Sequence, residues 1–239
     1  MALLAGKSFV VTGATGNVGR GVALAALNHG ARVVIVGRDT LKLTKLKADY
    51  LRNSEDVLIA LGDVSTEEGV QEAKAKALEA LGTPTVDYVF SSSGPWWQVP
   101  PHMSEVPFAT FKQAINANVE AHFLIWQAFS PVTKACFVAV NGSAMKHLPH
   151  TGVTGFTANS VEGLCKLFAA EAKAKGTFRF LESFLEARVA DEETSQGAWP
   201  SEKYGNVVVA MVTAPESDEW HVECPDDEAV YKKITAHLQ

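Results

Sequence analysis

The sequence predicts an α/β fold, a doubly wound Rossmann arrangement in one domain spanning residues 1–239, with a parallel sheet of about seven strands flanked by helices. Three observations predict it. Short apolar, β-rich runs alternate with helix-patterned segments from the start of the chain. A Gly-rich turn joins the first run to the first helix. No Pro/Gly/Ser-rich linker divides the 239 residues, a length that one α/β domain commonly occupies.

The strands are expected at Ser8 to Thr12, Arg32 to Val36, Val57 to Leu61, Val86 to Phe90, Cys136 to Val140 and Phe178 to Phe184. Most of these runs are continuously apolar, the pattern of strands covered on both faces. Between them, Asn17 to His29 is rich in Ala and Leu, and Leu41 to Leu51 carries apolar residues at helical spacing. Ser65 with Glu68 reads as a capping box that opens a helix running to about Leu81. Pro107 suits the first turn of a long helix continuing to Phe129, and Val161 to Ala174 makes another. Strand-helix units of this length enter a parallel sheet by right-handed crossovers.

Composition narrows the functional classes. Hydrophobic residues make up 47% of the chain and charged residues 20%, with a net charge of -6. Seven acids and no Lys or Arg lie between Tyr204 and Tyr231, so the rest of the chain carries 20 acids against 21 bases. That balance gives no basic footprint for nucleic acid and no polybasic patch for a membrane. The acidic stretch reads as solvated surface. No apolar run reaches the ~18 residues of a membrane span, and the opening Met1 to Ala5 is cut short by Gly6 and Lys7, so a cytoplasmic protein is expected. Cys136, Cys165 and Cys224 lack disulfide or metal-ligand spacing and read as small buried hydrophobes; no metal site is expected.

The chemistry begins where strand one ends, in Thr12-Gly13-Ala14-Thr15-Gly16-Asn17-Val18-Gly19. Gly13, Gly16 and Gly19 allow a tight turn, close approach of backbone N–H groups to a pyrophosphate, and close packing of helix on strand. Strand two ends in Gly37-Arg38-Asp39. An acid at the first of these positions would accept a ribose 2'-OH; instead Arg38 offers a guanidinium to a 2'-phosphate, which favours NADP(H) over NAD. The competing reading pairs Arg38 with Asp39 or another surface acid.

These residues resemble the short-chain dehydrogenase/reductase family in order and spacing, as do Gly62-Asp63-Val64 after strand three and Ser91-Ser92-Ser93-Gly94 after strand four. The resemblance implies that Asp63 and Val64 border the adenine and that Ser92, Ser93 and Gly94 lie along the cofactor. It also implies that Asn118 matches the asparagine of the family's long interface helix. Val161-Glu162-Gly163-Leu164 and Ala169-Ala170-Glu171 match the next helix, so the likeness covers nearly the whole chain. The family's helix pairing between subunits implies a homodimer or homotetramer.

The likeness breaks at the reaction centre. Carbonyl-reducing members use a serine, a tyrosine and a lysine four residues after the tyrosine, but here Tyr50, Tyr88, Tyr204 and Tyr231 are followed four positions on by Ser54, Ser92, Val208 and Thr235. Aligned through Val161 to Leu164, the tyrosine and lysine positions fall on Thr154 and Ala158; aligned by distance from Ser143, they fall on Phe156 and Ser160. Ser143 reads either as the family serine or as a strand-end cap, and Asn118 either as catalytic or as a local backbone partner. His147 and His150 in the following loop are candidate proton donors, and Lys146 a candidate oxyanion partner. Trp96 and Trp97 suit the wall of an apolar or aromatic pocket. Two functions follow. One is an atypical NADP(H)-dependent oxidoreductase acting on a small, aromatic or conjugated, carbonyl or quinone-like acceptor. The other is an NADP(H)-binding protein without redox turnover, serving as a sensor, partner subunit or non-redox scaffold.

Overall fold

A computed structural model describes residues 2–94, 102–143, 146, 150–190, 198–215 and 219–238. Seven parallel strands form one sheet: β1 (Ser8–Thr12), β2 (Arg32–Gly37), β3 (Val57–Leu61), β4 (Val86–Ser91), β5 (Thr133–Gly142), β6 (Arg179–Leu185) and β7 (His221–Cys224). Their spatial order is β3-β2-β1-β4-β5-β6-β7. The order reverses between β1 and β4, and a doubly wound sheet opens its crevice at such a point, beyond the carboxyl ends of the strands.

The apolar runs divide themselves between two cores by the two-residue period of a strand. Phe9, Val11, Val33 and Ile35 face one layer, while Val10, Val34 and Val36 face the other. On the first face lie α1 (Asn17–Asn28), α7 (Ser201–Thr213) and α8 (Glu228–Thr235); on the second lie α3 (Glu67–Leu81), α5 (Ala121–Phe129) and α6 (Gly152–Lys175). In the second layer Trp126 stacks on Phe168 with ring centroids 4.4 Å apart and meets Phe137 edge-on at 5.0 Å. Its indole N–H donates to Glu171 at 3.2 Å, so the ring's polar edge is satisfied where α5 packs on α6.

Helices α1 and α7 cross at glycines. A Cβ on Gly21 would stand 1.8 Å from the Ser201 carbonyl oxygen, and one on Gly205 would stand 2.0 Å from that of Gly21. The two backbones therefore touch without intervening side chains. α7 thereby presses α1, whose N-terminus carries the Gly-rich turn, against the sheet.

Several elements differ from the sequence expectation, each for a local reason. α3 is capped by Thr66, whose hydroxyl accepts from Gly69 N at 3.1 Å, instead of by a Ser65/Glu68 box. Ser65 is already bonded to Asp63, with Oγ donating to Oδ1 at 2.7 Å. The stretch read as one helix over Leu41 to Leu51 is α2 (Thr40–Lys45) continued by a π-helical turn, Leu46–Tyr50. The long helix after Pro107 is α4 (Phe108–Ala114), a π-helical segment (Ile115–Glu120) and α5. α6 begins nine residues before Val161, because Gly152, Val153 and Thr154 already bury themselves on its inner side. The largest correction concerns Tyr204 to Tyr231, read as solvated surface. It contains most of α7, whose Tyr204 and Val207 to Val209 are fully buried, and the whole of β7. The acids of β7 and its flanks sit at intervening positions and hid the apolar pattern. The three cysteines are free and buried, as read. No helix among the described residues is long and apolar enough to cross a membrane.

Candidate functional site

The site is built at the β1/β4 crossover. Gly13 follows β1 with φ +63°, and a Cβ there would lie 1.7 Å from the Ser92 carbonyl oxygen, so only glycine lets the turn after β1 nest against the turn after β4. Gly16 N donates to Gly13 O at 3.0 Å, closing the turn. A Cβ on Gly19 would meet Gly13 O at 2.4 Å, which draws α1 down onto the loop. Gly16 is the N-cap of α1, and no side chain caps it. The first N–H groups of a 12-residue helix thus lack a capping side chain at the crevice, the arrangement that receives phosphate oxygens. The chain's own geometry therefore fits a dinucleotide pyrophosphate.

Within this loop the residues divide. Thr15 is exposed at the turn, whereas Val18 packs into the α1 core. The Asn17 side chain donates to Val189 O at 3.2 Å, so it ties the loop to the chain beyond β6 instead of facing the crevice. At the end of β2, Arg38 is 74% exposed and its Nη1 lies 3.4 Å from Asp63 Oδ2. The competing reading, a surface ion pair, is thus realised in this state, and with Asp63 instead of Asp39. Asp39 caps α2 by accepting from Lys42 N at 3.1 Å. Partial burial works to raise the Asp63 carboxyl, but hydrogen bonds from Ser65 and Arg38 outweigh it and hold the group below its ordinary range. Val64 packs partly into the second core.

The turn after β4 is held from three sides. Thr12 Oγ1 donates to Phe90 O at 3.3 Å and accepts from Ser92 N at 3.1 Å, and Ser93 Oγ donates to Ala117 O at 2.9 Å. A Cβ on Gly94 would fall 1.9 Å from Asn118 Oδ1. Asn118 is buried in the π-helical segment; its Nδ2 donates to Thr157 Oγ1 at 3.1 Å, while Oδ1 has no hydrogen-bond partner among the described residues. π-helical turns recur at functional sites because they turn side chains out of helical register.

The structure separates the two placements of the absent tyrosine and lysine. Thr154 and Ala158 lie on the buried side of α6, with Val161, Cys165 and Phe168 at the following turns. Phe156 is exposed and packs on Phe111 with centroids 5.4 Å apart, and Ser160 bonds back to Phe156 O. The inward slot holds a hydroxyl and a methyl. Beneath it, Asn141 Nδ2 donates to Ala158 O at 3.2 Å and to Glu182 Oε1 at 2.8 Å, and the other oxygen of Glu182 meets His221 Nδ1 at 2.6 Å. Glu182 is fully buried, a feature the sequence signalled only as one acid within an apolar run.

Ser143 directly follows β5 and is partly buried. His150 is exposed before α6, its ring 6.3 Å from that of His102, so it pairs across the two loops. His147, Trp96 and Trp97 lie outside the described residues. Lys146 departs from the oxyanion role read for it. It is bonded to Glu186, lies 3.3 Å from Glu223, and sits over the Phe184 ring at 4.7 Å. The Glu186 hydrogen bond raises its pKa, with Glu223 adding to the effect, so this ammonium is paired with a carboxylate just after β6 and another in β7.

The comparisons agree with this architecture. An uncharacterized oxidoreductase of Listeria monocytogenes is 25% identical over 204 residues, 80% of this chain and 81% of that protein. An inactive hydroxysteroid dehydrogenase-like protein 1 of Rattus norvegicus is 25% identical over 202 residues, 81% of this chain and 59% of that protein. A metagenomic short-chain oxidoreductase solved in complex with NADP superposes with a TM-score of 0.77 at 21% identity, over 93% of this chain and 98% of that one. The family model described as short chain dehydrogenase matches residues 7–176, from the first strand through the last residue of the α6 cap, and the chain belongs to that family.

Proposed function

We propose that the protein is an NADP(H)-dependent oxidoreductase whose acceptor is small and conjugated, a quinone or an aromatic or unsaturated carbonyl. The observation that supports this reading is the inward side of α6, where Thr154 and Ala158, one of the two sequence placements for the family's phenol and ammonium, supply neither group. When bound, the nicotinamide supplies a hydride. A simple ketone receiving it becomes an alkoxide, a base about as strong as hydroxide, and needs a positioned proton donor. A quinone becomes a phenolate, whose pKa of about 10 lets water complete the protonation. A site without a phenol suits the second kind of acceptor. The chain's residues then bind and orient: the α1 N-terminus and the Gly13 to Gly19 turn hold the pyrophosphate, and Arg38 leaves Asp63 to take the 2'-phosphate.

NADPH is expected to bind about ten- to a hundredfold more tightly than NADH, and Arg38→Ala to remove most of that difference; fluorescence titration measures both. Equal affinities in the unaltered protein overturn the choice of cofactor. Steady NADPH consumption with quinones and enones but not with simple ketones supports the reading. Tight NADPH binding without turnover on any of them favours the second reading, a dinucleotide-binding protein, to which the lack of a phenol and an ammonium also leads.

The protein acts as a homodimer or homotetramer in this proposal. Large apolar side chains stand exposed on α4 to α6, among them Phe108, Phe123, Phe156 and Leu167, more than a monomer needs on adjoining helices. Light scattering at micromolar concentration that returned 25.6 kDa, the mass of one chain, would overturn it. Three buried free thiols suit a reducing compartment, which supports a cytoplasmic setting.

A further inference from the structure

α5 buries Ala121, Ile125, Trp126, Ala128 and Phe129, and in the middle of that apolar face stands His122, 2% exposed. An imidazole there loses its hydration and is tolerated only where both ring nitrogens find partners. Both do. Nδ1 lies 2.7 Å from Ser91 Oγ, and the ring makes a hydrogen bond with the backbone of Ser93. A neutral imidazole has one donor and one acceptor. The Ser93 carbonyl can only accept, so the ring N–H goes to it, and Nδ1 is left to accept from the Ser91 hydroxyl. One side chain thereby spans the last residue of β4 and the turn that follows it.

We propose that His122 is a positioning residue that sets the Ser91 to Gly94 turn for the nicotinamide half of the cofactor. The proposal rests on the dinucleotide reading. The turn belongs to β4, on the far side of the β1/β4 crossover from β2 and β3, so a dinucleotide straddling the crossover lays its adenosine half toward Arg38 and its other half along this turn. Thr12 and Ala117 hold the turn from the β1 and π-helix sides. His122 supplies the hold from α5, and among the described residues it alone joins the Ser91 hydroxyl and the Ser93 carbonyl in one geometry. Without it, the buried Ser91 hydroxyl and the partly buried Ser93 carbonyl lose their shared partner.

The test compares NADPH with adenosine 2',5'-bisphosphate, a probe that lacks the nicotinamide half, by titration calorimetry on the full chain. His122→Val is expected to weaken NADPH about tenfold while leaving the bisphosphate within about twofold. His122→Gln, which can accept at its oxygen and donate at its nitrogen, is expected to keep NADPH within about threefold of the unaltered protein. If His122→Val fails to fold, Ser91→Ala carries the same expectation of weakened NADPH and unchanged bisphosphate. Unchanged NADPH affinity in the valine or alanine variant overturns the proposal. So does parallel loss of both probes, which marks a merely structural residue, and so does a glutamine variant as weak as valine. An unaltered protein that binds neither probe overturns the dinucleotide reading itself, a result distinct from all of these.

Discussion

Gly21→Ala is expected to destabilise the protein by about 3 kcal/mol or more, the upper end of the range for overpacking a tight interior. The new methyl would stand 1.8 Å from the Ser201 carbonyl oxygen and 2.3 Å from its carbon, and both are backbone atoms that cannot rotate away. The helices must separate, which opens the apolar contact between α1 and α7 along its length. Gly205→Ala is expected to act similarly, since its methyl would stand 2.0 Å from Gly21 O. Because either substitution forces the same separation, the double variant should lose clearly less than the two single losses combined. Urea denaturation of the three variants measures this, and strict additivity would show that each methyl is accommodated independently. Weakened dinucleotide binding should accompany the loss, because Gly21 lies about one helical turn from the phosphate turn at the N-terminus of α1.

The second large effect is a loss of stability in mild acid. Burial pushes the His122 imidazole down to about 4, against the opposing hydrogen bond with Ser93. In the unfolded chain its pKa returns to about 6.5. Between these values the unfolded chain binds a proton that the folded protein refuses, so stability rises with pH across the window. The contribution is complete above pH 6.5 and is lost as pH falls toward 4, about 3 kcal/mol in all at 1.36 kcal/mol per pKa unit, with about 2 kcal/mol gone by pH 5. Asp63 and Asp87 also sit below their ordinary values, but their carboxyls bind protons mainly at still lower pH. Comparing urea midpoints at pH 7 and pH 5 isolates the histidine: His122→Gln should lose much less between the two than the unaltered protein. Equal losses would assign the acid sensitivity elsewhere.

The fold was legible because its strands are buried on both faces and so read as plain apolar runs: β1 and β3 carry the bounds read for them. β7 was not placed. It is an edge strand of four residues containing one acid, and its partly exposed positions mask the period that a strand shows. The phosphate turn was legible for a different reason. Its glycines are forced by backbone contacts at Gly13 and Gly19, so the spacing itself records the geometry. The region around the slot was only partly legible. Sequence spacing offered two placements for the missing pair and carried no sign that one of them, Thr154 and Ala158, is buried on α6 while Phe156 of the other is exposed. His122 and Glu182 were not singled out, because an isolated His or acid within an apolar segment carries no sign of the partners that bury it. Lys146 was read by its place in the loop, yet its nearest carboxylates come from β6's end and from β7, elements distant in sequence.

The glycine crossing of α1 with α7 also orders events during synthesis. Arg20 of α1 and Ser201 of α7 are 181 positions apart, yet they hydrogen-bond and belong to one packed helix pair. A ribosome adding roughly 5–20 residues per second leaves the glycine face of α1 uncovered for about 10 to 35 s after that helix is made. Once β2 and β3 have followed, the nascent chain can pair β1, β2 and β3, but it cannot clamp the phosphate turn from behind until α7 is made. The nucleotide crevice is therefore among the last parts of the molecule to become rigid, although its defining residues are among the first to leave the ribosome.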